Sequence, residues 1–278
     1  MITVADVRRV ALALPRAYEV LVRDQIKFRV GQIVFLSLSP DETVMGFGFP
    51  KGERAALVAG EPDKFMLPGQ SDMRYNWVHV RLAAIDLDEL RELIIESWRM
   101  CVPKKVAASR IPMDLAAYRE RVRSEPCFIC GIVAGHDSHE VFYDDGAHIA
   151  FLSKYPTVPG YALVAPRSHI EHAVAGFDLE AYLAIQAVIH RVARAVEAVV
   201  PSERTYVLSL GSKQGNAHVH WHVVPCPRGL PLEQQQFPVL MAEHGVLPWT
   251  RAQAYALAEK LRAQLPSTGS RTTMSQSM

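Results

Sequence analysis

Apolar and polar positions divide the 278-residue chain into two runs of mixed helix and strand patterns separated by a charged, proline-broken stretch. The opening residues 2–15 read as a short helix ended by Pro15, and "KFRVGQIVFLSLS" (27–39) alternates as a hairpin does. "ETVMGFGF" (42–49) continues the strand pattern, 51–60 reads as a short helix closed by Gly60, and "NWVHVRLA" (76–83) as a strand. A helix is expected over 86–102, with its acidic residues at the start, where they suit the helix dipole. Residues 103–126 suit a partly helical linker.

After the linker, "EVFYDDGAHIAFLS" (140–153) predicts two strands around an Asp-Asp-Gly turn. "GYALVAPRSHI" (160–170) reads as a strand with its exit loop. Residues 178–198 place Leu179, Leu183, Ala187, Val188, Ala195 and Val196 at helical spacing. "RTYVLSLG" (204–211) and "AHVHWHVVP" (217–225) give two further strands, and 251–265 a closing helix. The tail from 266 has nothing to bury and is expected to be disordered. The fold class that follows is α+β in two domains, the second built on an antiparallel sheet.

Composition narrows the classes. At 49% hydrophobic and 21% charged residues the chain reads as a globular protein. No apolar run approaches the roughly 20 residues a bilayer span needs, and the first residues lack a long apolar signal core, so the expected compartment is the cytoplasm and no membrane partner is expected. Residues 1–123 carry 19 Lys/Arg against 16 Asp/Glu and the remainder 11 against 13, so neither half is a strongly basic module.

The chemistry concentrates in "QGNAHVHWHVVPCP" (214–227), where three of only 11 histidines alternate with apolar residues. On a strand, His218, His220 and His222 share one face at intervals of about 7 Å. A solvated histidine-rich face and a metal-binding triplet are the lesser readings; imidazole acting as nucleophile or general acid/base near neutral pH is the favoured one. Cys127 and Cys130, spaced C-x-x-C, read as a metal clamp, a redox pair or two reduced core residues. Cys226 is expected to pack.

His218-Val-His220-Trp-His222-Val-Val resembles the signature of the histidine-triad (HIT) family. The resemblance extends over about 126–230 through "CFIC", "AFLSKYPTVPGYALVAPRSHI" and the triad, in order. It implies nucleotidyl chemistry. His220 would attack the α-phosphorus of a nucleotide, His222 would contact phosphate and help protonate the leaving group, and Gln214, Gly215 and Asn216 would form the phosphate approach. A histidine at position 222 favours water as acceptor. Phe151, with Asp144 and Asp145, is assigned to the turn and base-side wall, and Tyr161 stands where many relatives place a further histidine. By the same resemblance, His169 and His218 would complete a structural zinc site with Cys127 and Cys130, leaving no open position for activating water. No redox cofactor is expected. Members commonly form homodimers, so a homodimer is expected too.

"ALALP", "KFRVGQIVF", "WVHVRL" and "LRELIIESWRMCVPKK" resemble the MmcQ/YjbR family over residues 1–105, which implies a frataxin-like α+β fold. Nucleic-acid binding by this domain is the minor reading, given its near-balanced charge. The expected organisation is therefore 1–105 MmcQ/YjbR-like, 106–125 linker, 126–265 HIT-like and 266–278 tail. The expected function is a nucleotide hydrolase or phosphoramidase acting on a purine nucleotide conjugate or dinucleoside polyphosphate. The competing reading is a nucleotide-sensing or nucleic-acid-associated regulator of low turnover.

Overall fold

The computed structural model describes residues 2–137 and 139–266. The expected tail therefore lies, apart from Pro266, outside the described residues. Two compact units emerge, one running to Pro112 and including Pro248–Arg251, the other starting at Met113.

In the first unit, α1 (Val4–Leu12) is followed by β1 (Ala17–Val22), β2 (Gln25–Val30), β3 (Ile33–Leu38) and β4 (Val44–Gly48). Then come α2 (Arg54–Gly60), β5 (Phe65–Met66), β6 (Trp77–Arg81), α3 (Leu87–Arg99) and α4 (Lys104–Ala107). Thr3 and Asp6 cap α1 reciprocally, which satisfies backbone donors that a helix start leaves open. Asp86 caps α3 by accepting from the Asp88 and Glu89 amides. The antiparallel sheet runs β1-β2-β3-β4-β6-β5, and α3 packs on β3, β4 and α1. Phe28, Phe35, Phe47, Ile94 and Trp98 are fully buried in this core. Ser97, also buried, accepts the Gly48 N–H at 2.8 Å and donates to the Phe35 carbonyl.

The second unit opens with α5 (Leu115–Ser124) and α6 (Phe128–Val133). There follow β7 (Val141–Asp144), β8 (His148–Leu152), β9 (Ala162–Pro166), α7 (Leu179–Val199), β10 (Arg204–Ser209), β11 (Trp221–Cys226), α8 (Phe237–Leu240) and α9 (Arg251–Arg262), whose first residue is counted with the other unit. The five strands form an antiparallel sheet in the order β10-β11-β9-β8-β7, with α7 packed across β11, β9 and β8. Asp178 caps α7 through the Ala181 amide.

One expectation, the strand over 217–225, is corrected. The buried stripe of α7 is Ile185, Val188, Ile189, Val192, Ala195 and Val196, whereas Leu179 and Leu183 are exposed. The helix expected over 178–198 is present, with its buried residues confined to the turns from Ile185 onward. The strand carrying the histidines begins at Trp221, and β10 pairs with it only as far as Ser209↔Trp221, so His218 and His220 stand in the approach loop and only His222 is within the ladder. The stretch expected as a partly helical linker contains α5, which is counted with the second unit.

Candidate active site and metal cluster

The approach loop is fixed locally. The Val219 amide donates to the Ile170 carbonyl at 2.6 Å, tying the histidines to the exit of β9. Ser209 Oγ donates to the His220 carbonyl at 2.8 Å from the end of β10. His218 and His220 are buried, and His222 is partly exposed.

Each imidazole has a distinct environment. His220 Nδ1–H donates to the His218 carbonyl at 2.7 Å, since a carbonyl can only accept. That leaves Nε2 of a neutral ring as its lone-pair atom. His218 Nε2–H donates to the Pro166 carbonyl at 2.9 Å, so its free lone pair is on Nδ1. His222 Nδ1 lies 2.9 Å from Tyr161 Oη, and its Nε2 is buried with no partner at full hydrogen-bond geometry among the described residues, the Leu210 backbone being its polar neighbour. The rings of His220 and His222 stand 4.9 Å apart at 62°, and Phe128 lies edge-on to His220 at 6.2 Å.

Burial keeps these imidazoles neutral. It lowers the proton affinity of His220, against the opposing hydrogen bond to the His218 carbonyl. It pushes His222 down to about 3, with the neighbouring His220 adding to the effect. Burial also raises the Tyr161 hydroxyl, which stays protonated at neutral pH. The backbone sets the position of Tyr161. Gly160 takes φ +79°, and a Cβ there would fall 2.7 Å from Val200 Cγ2, so only glycine fits the turn.

Cys127, Cys130, His169 and His218 bring one donor atom each within 4.8 Å of one another. Cys127 Sγ lies 3.5 Å from His218 Nδ1, and Cys130 Sγ lies 3.3 Å from His169 Nδ1 and 3.6 Å from His218 Nδ1. Zinc at ~2.3 Å from sulfur and ~2.0–2.1 Å from nitrogen sets tetrahedral S···N edges of roughly 3.6 Å, which matches. The second nitrogens also fit. His218 Nε2 is held by Pro166, and His169 Nε2 lies 3.4 Å from Glu171 Oε1, the pattern of metal-ligating histidines. α6 begins at this cluster, with Cys127 Sγ capping the Cys130 amide at 3.5 Å.

With Nδ1 in the cluster and Nε2 on Pro166, His218 has no nitrogen left for proton transfer. Its carbonyl, however, orients His220. Gln214 is exposed in the turn ahead of the triad, Gly215 forms an isolated bridge with Ser212, and Asn216 takes a left-handed φ of 53°. Phe151 is fully buried, with Phe128 at 6.1 Å and His139 at 5.6 Å. It therefore stands behind Phe128, the ring that reaches His220. Phe128 and Ser209 have no signature of these contacts in the sequence. Phe128 sits inside "CFIC", but nothing in that tetrapeptide shows which way its ring points.

The HIT domain family model matches residues 135–228, and the YjbR model matches residues 12–100. An uncharacterized HIT-like protein of Saccharolobus solfataricus is 32% identical over 103 residues, covering 36% of this chain and 73% of that protein. An uncharacterized HIT-like protein of Mycobacterium tuberculosis is 32% identical over 107 residues, covering 37% of this chain and 74% of its own length. Among solved structures, a zinc-bound histidine triad family protein from Mycobacterium smegmatis is 24% identical, covers 50% of this chain and 91% of its own, and has a TM-score of 0.40. The expected α+β class holds for both parts, each with its antiparallel sheet. The chain belongs to the HIT family, with a YjbR domain preceding its HIT domain.

Proposed function

We propose that this protein is a nucleotide hydrolase or phosphoramidase of the histidine-triad type, with the catalytic domain over 126–265 and the YjbR-like domain over 1–105. The observation that carries the reading is the 2.7 Å hydrogen bond from His220 Nδ1–H to the His218 carbonyl. It leaves Nε2 of a neutral imidazole as a directed lone pair, which is what nucleophilic attack requires.

In the first step His220 Nε2 forms a bond to the α-phosphorus, and the bond from phosphorus to the leaving oxygen or nitrogen breaks with its electron pair on the leaving atom. An anionic phosphate next to His222 raises that ring's proton affinity, so His222 binds as imidazolium and gives the leaving atom its Nε2 proton. Tyr161, 2.9 Å from Nδ1, orients the ring. In the second step water attacks phosphorus and passes its proton to His222. The P–Nε2 bond breaks, and nucleoside monophosphate and neutral His220 are released.

Gln214, Gly215 and Asn216 receive phosphate oxygens, and Phe151 with Phe128 walls the base side. Cys127, Cys130, His169 and His218 would hold a structural zinc, whose role is to fix the wall from which the His218 carbonyl orients His220. A homodimer is part of the proposal. β10 is a sheet edge, and Val207 and Leu210 near it are exposed together with Leu179 and Leu183 on α7.

The test is release of nucleoside monophosphate from a panel of purine nucleoside phosphoramidates and dinucleoside polyphosphates. Turnover supports the hydrolase reading. Tight nucleotide binding without turnover contradicts it and favours a sensor.

A further inference from the structure

α5 (Leu115–Ser124) lies ahead of the residues that match the HIT domain, and none of its own residues is buried. Its side chains nonetheless meet both loops that flank the histidines. Asn216 Nδ2–H donates to Tyr118 Oη at 3.5 Å. A Cβ built on Gly215 would fall 2.5 Å from Val122 Cγ1 and 3.3 Å from the Val122 carbonyl oxygen, so helix and turn are in close contact.

The same helix turn reaches the loop after β8. Tyr118 and Tyr155 meet edge-on, with centroids 5.9 Å apart at 79°. The Arg121 guanidinium lies 5.8 Å from the Tyr118 ring and 5.5 Å from the Tyr155 ring, and its Nη2 donates to Tyr155 Oη at 2.9 Å. That loop leads through Gly160 to Tyr161, the partner of His222. A helix that adds nothing to the buried core and touches both active-site loops is placed to hold them.

We propose that Tyr118 and Val122 are positioning residues for the Gln214–Asn216 turn, so that α5, although outside the 126–265 domain, works as part of its site. The inference rests on the reading of that turn as the phosphate site. Because a turn that contacts phosphate in substrate and transition state alike contributes uniform binding, loosening it raises KM and leaves kcat nearly unchanged.

The experiment uses the full chain, with adenosine 5′-phosphoramidate as the turnover probe and AMP as the calorimetric ligand. Tyr118→Phe deletes one weak hydrogen bond and is expected to raise KM and the AMP Kd by about 2- to 10-fold, with kcat within about twofold. Gly215→Ala is expected to weaken AMP binding by about tenfold or more, since the new methyl group meets Val122 Cγ1 at 2.5 Å and Gly215 holds φ +158°, a backbone conformation that a side chain strains. Adding Val122→Ala removes the colliding Cγ1 and should recover about threefold of that loss. Unchanged thermal midpoints in Tyr118→Phe separate positioning from general destabilisation.

The inference is overturned if Tyr118→Phe binds and turns over as wild type does, if Val122→Ala recovers nothing, or if the losses simply follow a fall in Tm. In those cases wild type still hydrolyses the probe and His220→Ala does not, so the parent reading stands. If folded wild-type protein neither binds AMP nor hydrolyses the probe, the parent reading fails and takes the inference with it.

Discussion

Tyr161 Oη and His222 Nδ1 lie 2.9 Å apart, a hydrogen bond from the residue just before β9 to the neighbouring strand β11 of the second sheet. The phenol touches the imidazole and fixes its orientation, and in the proposed mechanism Nε2 is the nitrogen that serves the substrate. Tyr161→Phe should therefore lower kcat by about 2- to 10-fold, the worth of one such bond, with KM nearly unchanged. Steady-state kinetics check this, and a rise in KM at constant kcat would place Tyr161 on the substrate instead.

The cysteine–histidine cluster predicts one zinc per chain in purified protein. Zinc at a hundred times its Kd stabilises the folded form by about 2.7 kcal/mol, which for a domain of this size is about 5–10 °C in Tm. Chelation, Cys127→Ser or Cys130→Ser should lower the transition of the second unit by that order and leave the transition of the first in place. Elemental analysis with calorimetry reads both, and a full-strength transition without zinc refutes the metal.

Acid should weaken the second unit through His222. Its folded-state pKa, about 3, lies below the ordinary histidine value of 6.5, so the unfolded chain binds the extra proton between them. Stability from this group is complete above about pH 6.5 and falls by up to ~1.4 kcal/mol per unit as pH drops toward 3. Urea unfolding of wild type against His222→Asn isolates the effect from zinc loss, and equal pH slopes in the two proteins would rule it out.

In the first unit, Ser97→Ala leaves the buried Gly48 N–H without its acceptor and should cost about 1–3 kcal/mol of stability. Denaturant titration of the first transition checks this, and hydrolysis at native conditions should not change.

What the sequence made legible depended on how local the signal was. α3 and α7 carry long apolar periodicity with an aspartate cap, and the β7–β8 hairpin carries Asp-Asp-Gly at its turn, so all three were readable. β5 has two residues and α6 six, too few for periodicity to register. The donors of Cys127, Cys130, His169 and His218 fall together because β9 and the approach loop meet through the Val219–Ile170 hydrogen bond. The cysteine spacing suggested a clamp, but its histidine partners came from family resemblance. The contact of Tyr118 with Asn216 spans 98 residues and has no local signature. Similarly, the strand pattern of 217–225 concealed that His218 and His220 stand ahead of the strand, with His218 donating to the Pro166 carbonyl at the end of β9 and His220 to the His218 carbonyl within the loop.

The most direct test of the account is nucleoside monophosphate release by His220→Ala beside wild type, with zinc content and folding shown to be equal. Loss of a nucleophile that splits the reaction into two steps should lower kcat by on the order of a thousandfold or more. A variant that keeps turnover within about tenfold of wild type would contradict His220 as the attacking residue.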